Sequence, residues 1–399
     1  MLKISTPSRI ESAENIAARS FGSVALTRAN WIEIDLAALE HNVAVVRSML
    51  EPGVRIHACV KSSAYGCGVV EVSQRFAAAG VDALCCGTFD EAVHIRAALP
   101  KMDLIMFGAT LPDGIPAYLE HGLIPSVHNI ELARAVSRFA TSPTRVHIKV
   151  DGGWGRLGIP LPHAKDAILG IARLANIEIE AVYTHLPFTD LPGRDWAQQQ
   201  TTAFCKLIDD LRASGLKVPI TQARASNGVV FGITDECNAV SLGSILYGKS
   251  SAPRDLADFS NLRPACRSIR TKLIHVHPAF PGKTVGRTTG LHGRPTSPFV
   301  GITGVIPFGR RDGYAGARSG ETAYVLIHGV RAPILAVNSE LSVVDLSGVP
   351  DAGLGDDVII LGKDRDEEIT LEDLSHWQGA GQTDVLVRMS GRLTRVFHQ

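Results

Sequence analysis

Neither sign of charge predominates in this 399-residue chain: 40 lysines and arginines stand against 40 aspartates and glutamates. The balance removes the electrostatic footprint expected of a nucleic-acid binder or of a protein held to an anionic membrane surface. Long apolar runs are missing as well, and the opening MLKISTPSRIESAENIAARSFGS has no apolar stretch of the kind a secretory signal needs. The expected setting is the cytoplasm, with a small molecule as partner and neither membrane nor nucleic acid. Cysteine is scarce and odd in number, at 59, 67, 85, 86, 205, 237 and 266, with no C-x-x-C spacing. These residues read as reduced, mostly buried thiols, and they suggest neither a disulfide framework nor a metal centre. Low-complexity segments are absent too. What remains is a chain with 45% apolar and 20% charged residues, enough to bury one large core or two ordinary ones.

Residues 1–30, rich in Ser, Arg and Ala, carry no strong pattern and read as an N-terminal arm. From Trp31 the chain becomes regular. After the strand-like WIEID, Asp35 stands as an N-cap before an apolar stripe of helical spacing at Leu36, Leu39, Val43, Val46 and Leu50. Short apolar runs then recur eight times: IHACV (56–60), ALCCG (83–87), LIMFG (104–108), IPSVH (124–128), VHIKV (146–150), EAVYTH (180–185), ITQARA (220–225) and AVSLGS (239–244). Helix-like stretches separate them. Eight strands alternating with helices over about 190 residues predict a closed (β/α)8 barrel of the TIM type across 31–255, since an open doubly wound sheet usually stops at five or six strands. Beyond it the pattern turns to short β-rich segments between Gly, Pro, Asp and Asn turns, including DVIILG and DVLVRM, with EDLSHWQ as a short helix. Residues 256–399 are expected to form a separate C-terminal all-β domain.

In such a barrel the loops after the strands build the site. The first strand delivers Lys61. A lysine at a strand end is costly to desolvate unless paired or lowered in pKa, and a lowered pKa is what an amine needs to form a Schiff base; taken alone, it is more often a solvated rim residue. Its context decides. The segment VKSSAYGCG (60–68) resembles the one carrying the cofactor lysine in the alanine racemase family of pyridoxal-phosphate enzymes, whose members join a (β/α)8 barrel to a C-terminal β domain. The resemblance implies that Lys61 holds pyridoxal 5'-phosphate and serves as one of two acid/base groups, and that Tyr65 donates to the cofactor phosphate. KVDGGWGRLGI (149–159) resembles the family segment whose arginine, here Arg156, contacts the cofactor ring oxygen and the substrate carboxylate, a role suited to a planar, permanently charged fork. Lys149 falls on a lysine that is carbamylated in many members. Gly153, Gly155 and Gly158 also spell G-x-G-x-x-G, but Pro160 and Pro162 interrupt the helix a dinucleotide site requires.

Further matches follow the later strands. His185, in Tyr-Thr-His, falls on the residue that stacks beneath the pyridine ring. Ser226 and Asn227, then Gly243, Ser244 and Tyr247 in the eighth-strand motif, fall on the phosphate-binding end of the barrel, where Gly and Ser allow close backbone approach. The chain also departs from the family. Ser241 stands where an arginine donates to the pyridine nitrogen, and a neutral hydroxyl would leave that nitrogen freer to protonate. The family's second base is a tyrosine from the partner subunit, yet this chain has only six tyrosines, and PGKTVGRTTG (281–290) offers Arg287, or Val285 by a neighbouring register. IPFGRRDGY (306–314) likewise places Arg310 at a family tyrosine, Ser339 and Glu340 replace a Met-Asp pair, and Gly391 stands where a phosphate-binding tyrosine is usual. An arginine is a poor proton acceptor at neutral pH, so Arg287 and Arg310 imply a site for an extra anionic group on the substrate. The expectations are a homodimer with a shared active site and chemistry at Cα of a small or polar amino acid. That chemistry is racemisation with an altered second base, with one-base retro-aldol, decarboxylation or transamination, and a non-catalytic cofactor-binding protein, as alternatives.

Overall fold

The computed structural model describes residues 28–249, 256, 258–278 and 301–399. The strand β1 (Trp31–Asp35) buries alternate residues and leads through the Asp35 cap, whose carboxylate accepts from the Ala38 N–H at 2.9 Å, into the helix Leu36–Ser48. The parallel strands β2 (Arg55–Cys59), β3 (Ala83–Cys86), β4 (Leu104–Met106), β5 (Ile124–Val127) and β6 (Thr144–Asp151) follow. After the two-residue β7 (Ile159–Pro160) come β8 (Ile177–Tyr183), β9 (Ile220–Ala225) and β10 (Ala239–Leu242). Neighbours pair in the order β5-β4-β3-β2-β10-β9-β8-β6, and β5 also pairs β6, so the eight long parallel strands close on themselves. The barrel is thus the expected one, and its strands are buried along most of their length, as a sheet covered by helices on one face and filled by side chains on the other demands.

The second sheet is antiparallel in the main. It comprises β11 (Cys266–Lys272), β12 (His275–His277), β13 (Thr303–Ile306), β14 (Tyr324–Ile327), β15 (Val330–Val337), β16 (Ser342–Asp345), β17 (Asp357–Asp364), β18 (Glu367–Ile369) and β19 (Thr394–His398). Two details differ from the sequence reading. β1 belongs to this sheet, antiparallel to β11 and parallel to β19, and so stitches the start of the described chain to the C-terminal domain. Its half-buried alternation is the reason: a strand with one wet face suits this sheet, whereas the barrel strands are buried along most of their length on both faces. The segment containing DVLVRM is a helix, Gln382–Ser390, that buries Val385, Leu386 and Met389 on one face. Spacing of one, three and four residues is helical, and a short Val-rich run does not by itself distinguish the two. The helix Leu371–Gln378 lies where EDLSHWQ placed it, with a Thr370/Asp373 capping box. All seven cysteines are free, five of them buried.

Candidate active site

The C-terminal ends of the barrel strands open on a cavity of about 600 Å³. Lys61 enters it directly after β2. The following residues, Ser62 to Tyr65, run through a left-handed turn with φ between +53° and +55°, which for non-glycine residues costs about 1–2 kcal/mol each. Local bonds hold the turn: Ala64 N–H donates to the Val60 carbonyl at 2.9 Å, and Ser63 N–H to the Glu91 carboxylate at 2.6 Å. The same carboxylate receives the N–H groups of Gly87 and Thr88 at 3.2 and 3.1 Å. Strain of this kind is retained where the surroundings over-determine it. Here the effect is to aim both Lys61 and Tyr65 into one cavity. Gly87 makes room for the lysine, since a Cβ at that position would lie 2.8 Å from the Lys61 Cβ.

Tyr65, Ser226, Asn227, Gly243 and Ser244 meet at one wall. The Gly243 N–H donates to Ser226 Oγ at 3.1 Å, and a Cβ on Gly243 would come within 2.2 Å of the Tyr65 hydroxyl oxygen. Only glycine allows that approach, and the result is a neutral cradle of hydroxyls and backbone groups of the size and polarity of a phosphate group. Tyr247 stands behind the cradle. Its ring is buried 4.8 Å from that of Tyr65, and its hydroxyl donates to the Cys59 carbonyl at 2.9 Å, so it props Tyr65 and lies outside the cavity lining.

The opposite wall is cationic. Lys149, on β6, is 8% exposed, and burial, reinforced by the neighbouring Arg156 charge, brings its amine down to about 8 against the pull of Asp151. Asp151 organises the loop that follows by accepting from the N–H groups of Gly153, Trp154 and Gly155 at 2.9 to 3.0 Å. The loop presents Arg156, whose guanidinium lies 3.7 Å from the centre of the Trp154 ring. His185 is lowered to about 3 by burial and by the charges of Lys149, Arg156 and Lys61, and therefore faces the cavity as neutral imidazole. Tyr183, stacked on Phe107 at 5.3 Å, donates its hydroxyl to Ser126 at 2.9 Å, and burial pushes its pKa up, which removes it as a base. Ser241 is 8% exposed and lines the cavity. Among the described residues three permanently or readily charged cations, Lys61, Lys149 and Arg156, line the cavity, and no carboxylate does. Such a site recruits anions.

The structure therefore gathers Lys61, Tyr65, Lys149, Arg156, His185, Ser226, Asn227, Ser241, Gly243 and Ser244 in one place. Arg310 is exposed at the start of the turn Arg310–Asp312, whose Asp312 is buried, and does not line this cavity within one chain. Arg287 lies outside the described residues, as does Val285. Glu340 is engaged by Arg28 and Arg392 at 3.2 and 3.1 Å. From the C-terminal domain, Thr383 on the helix Gln382–Ser390 reaches the cavity, and Gly391 does not. Thr383 escaped the sequence reading because its segment was taken as a strand. Among the described residues no cluster of His, Cys, Asp or Glu could hold a metal ion, and no helix is long and apolar enough to cross a membrane.

A barrel whose mouth sets a strand-end lysine between a neutral phosphate-sized cradle and an arginine, joined to an antiparallel sheet domain, is the frame of the barrel-type pyridoxal-phosphate enzymes. The chain belongs to the alanine racemase family: the family's N-terminal domain matches residues 34–251 and its C-terminal domain residues 266–397. It is 31% identical over 375 residues to an alanine racemase of Nostoc, spanning 92% of this chain and 95% of that one. With an alanine racemase of Methanococcus maripaludis it shares 28% over 372 residues, 92% and 98% of the two chains. The alanine racemase of Bacillus anthracis, solved with bound L-Ala-P, superposes with a TM-score of 0.83 at 25% identity, covering 94% of this chain and 96% of that one.

Proposed function

We propose that this protein is a pyridoxal-phosphate-dependent amino-acid racemase whose second base differs from the family's and whose substrate is a small or polar amino acid. The observation that carries the reading is the cavity itself: cations at one wall, a neutral phosphate-sized cradle at the other, and Lys61 between them. Tyr65, Ser226, Gly243 and Ser244 would bind the cofactor phosphate, Asn227 would brace that wall by donating its side-chain amide N–H to the Phe188 carbonyl, and neutral His185 would pack beneath the ring. When bound, the cofactor acidifies the substrate Cα–H by drawing its electrons into the pyridine ring. Arg156 would take the substrate carboxylate and fix the Cα–H bond toward Lys61, whose amine moves the proton on that face. Ser241 offers the ring nitrogen a hydroxyl in place of a cation.

A second reading, one-base chemistry such as retro-aldol cleavage, decarboxylation or transamination, is favoured by the arginines at the family's tyrosine positions. Incubation with single amino acids in heavy water separates the two. Cα deuteration with inversion supports the racemase, whereas deuteration with complete retention of chirality leaves the one-base reading.

The protein is read as a homodimer in which the β domain of one subunit covers the barrel mouth of the other and brings Arg310 to it. Three large apolar side chains on the rim loops, Leu111, Trp154 and Leu191, are 79%, 41% and 51% exposed in the single chain, which supports a cover. Sedimentation at working concentration checks it; a fully active monomer overturns it. Seven unpaired thiols suit a reducing compartment and hence the cytoplasm.

A further inference from the structure

Lys249 follows the eighth barrel strand and the turn Ser244–Tyr247, and its backbone N–H donates to the Ser244 carbonyl at 2.9 Å. It is only 8% exposed, and its ammonium nitrogen has no hydrogen-bond partner. Nor does a carboxylate among the described residues neutralise it. The ionisable groups nearest in electrostatic terms are the thiols of Cys67 and Cys266, and burial pushes both up, that of Cys67 to about 11, so they stay uncharged. What surrounds the nitrogen is aromatic: it lies 5.0 Å from the centre of the Tyr65 ring and 5.7 Å from that of Tyr247. A buried cation without an anion is among the most costly arrangements a fold can keep, and burial draws this amine's pKa down accordingly. Lys249 lines a neighbouring cavity, whose lining also includes Asp258, Glu368 and Glu372, and the cofactor cavity lies on the other side of Tyr65. There the hydroxyl of the same ring meets Gly243 and the Ser226/Ser244 cradle, which contains no cation of its own, while a phosphate monoester near neutral pH carries about −1.5 to −2 charges.

We propose that Lys249 is the counter-charge of the cofactor phosphate, acting through the ring of Tyr65. The proposal rests on the cofactor assignment above. Lys249 is a positioning residue in this account. Its cation–π contact holds the Tyr65 ring and polarises the hydroxyl as a donor, and its field reaches a dianion that the cradle alone binds with neutral groups. The orphaned ammonium is then the cost carried by the cofactor-free protein, offset when the phosphate arrives.

The test compares pyridoxal phosphate with pyridoxal, which lacks the phosphate, as ligands of cofactor-stripped protein titrated by visible absorbance. In the unmodified protein the phosphate should strengthen binding greatly. Lys249→Met should weaken pyridoxal phosphate by roughly ten-fold while leaving pyridoxal unchanged, and Lys249→Arg should keep most of the discrimination. Thermal melting of the stripped protein gives the independent readout: Lys249→Met should melt no lower than the unmodified chain, and its stabilisation by pyridoxal phosphate should be smaller. Equal losses for both ligands, or a lower melting temperature before any ligand is added, would show a packing role and overturn the proposal, as would unchanged affinity for pyridoxal phosphate. If Lys249→Met does not fold, Lys249→Gln serves with the same ligands, and failure of both neutral variants to fold alongside a normal Lys249→Arg overturns the claim that the charge is costly without ligand. If the unmodified protein binds neither ligand, the cofactor assignment fails and not the role of Lys249 alone.

Discussion

The guanidinium of Arg156 rests 3.7 Å from the ring centre of Trp154, and the same indole lies 5.1 Å from the His185 ring. Trp154 is 41% exposed, so it is not there to fill a core. It is the shelf on which Arg156 waits, at the cationic wall of the cavity. Trp154→Ala should therefore raise KM for the amino acid by about two- to five-fold, the worth of an exposed cation–π contact, and Trp154→Phe should recover much of it. A change confined to kcat would show that the ring serves the chemistry and not the poise of Arg156.

Lys61 is the residue on which the cofactor reading stands or falls. The purified protein should absorb in the visible and lose that absorbance on Lys61→Ala, with turnover falling by about 10²–10⁴-fold or more and no change of fold by circular dichroism. Retained colour in Lys61→Ala would move the covalent role to another amine, of which Lys149 alone among the described residues lines the cavity.

How much of this was legible in the residues can be judged at particular places. The eight barrel strands were, because doubly buried parallel strands are short continuous apolar runs with helical stretches between them. Lys61, Arg156 and His185 were, because each follows a strand and sits in a distinctive word. β1 was misplaced only in its partners, a matter of tertiary pairing that local pattern leaves open. Thr383 was lost with its helix. Trp154 and Lys249 were in view, the first inside KVDGGWGRLGI and the second just after LYG, yet nothing in a linear sequence tells that a cation ends up behind one ring or upon another.

Lys149, brought down to about 8 by burial and the neighbouring Arg156, holds a substantial share of free amine near neutral pH, the form that adds carbon dioxide. Protein exchanged with ¹³C-bicarbonate should show a carbamate carbon by NMR that is missing in Lys149→Gln. Its loss in acid, as the amine is protonated and the carbamate decomposes, should parallel a rise in KM if the modified side chain orients Arg156. No carbamate signal at any bicarbonate concentration would leave Lys149 as a plain amine.

Acid stability is expected to depend on buried groups within the barrel strands. His57 is 4% exposed, and burial together with the nearby His147 charge holds it at about 3, so the fold keeps it neutral while the unfolded chain protonates near 6.5. Stability is lost as pH falls from about 6.5 toward 3. Burial would raise the Glu180 carboxyl, but hydrogen bonds from His147 and Arg145 hold it at about 2, so its contribution is complete above the usual 4.5 and fades as pH falls toward 2. Both linkages run the same way. Urea midpoints should drop between pH 7 and pH 5, and His57→Gln should flatten that drop; an unchanged slope would place the acid sensitivity elsewhere.

The last prediction concerns specificity. By the family resemblance Arg287 and Arg310 fall at tyrosine positions; Arg310 is exposed in the single chain, and the proposed dimer would bring it to a partner's barrel mouth. Once covered in a dimer, a guanidinium needs an anion or several acceptors, because a buried unpaired charge costs several kcal/mol. Among the described residues no carboxylate of the cavity's own chain lines it. The substrate side chain is the remaining source. Turnover should therefore be poor with L- or D-alanine and improve with polar or acidic side chains, and Arg310→Tyr should shift preference back toward alanine, read as the ratio of kcat/KM values. Should the unmodified protein racemise alanine efficiently, with no loss on Arg287→Ala or Arg310→Ala, both arginines are surface residues and another group supplies the second proton.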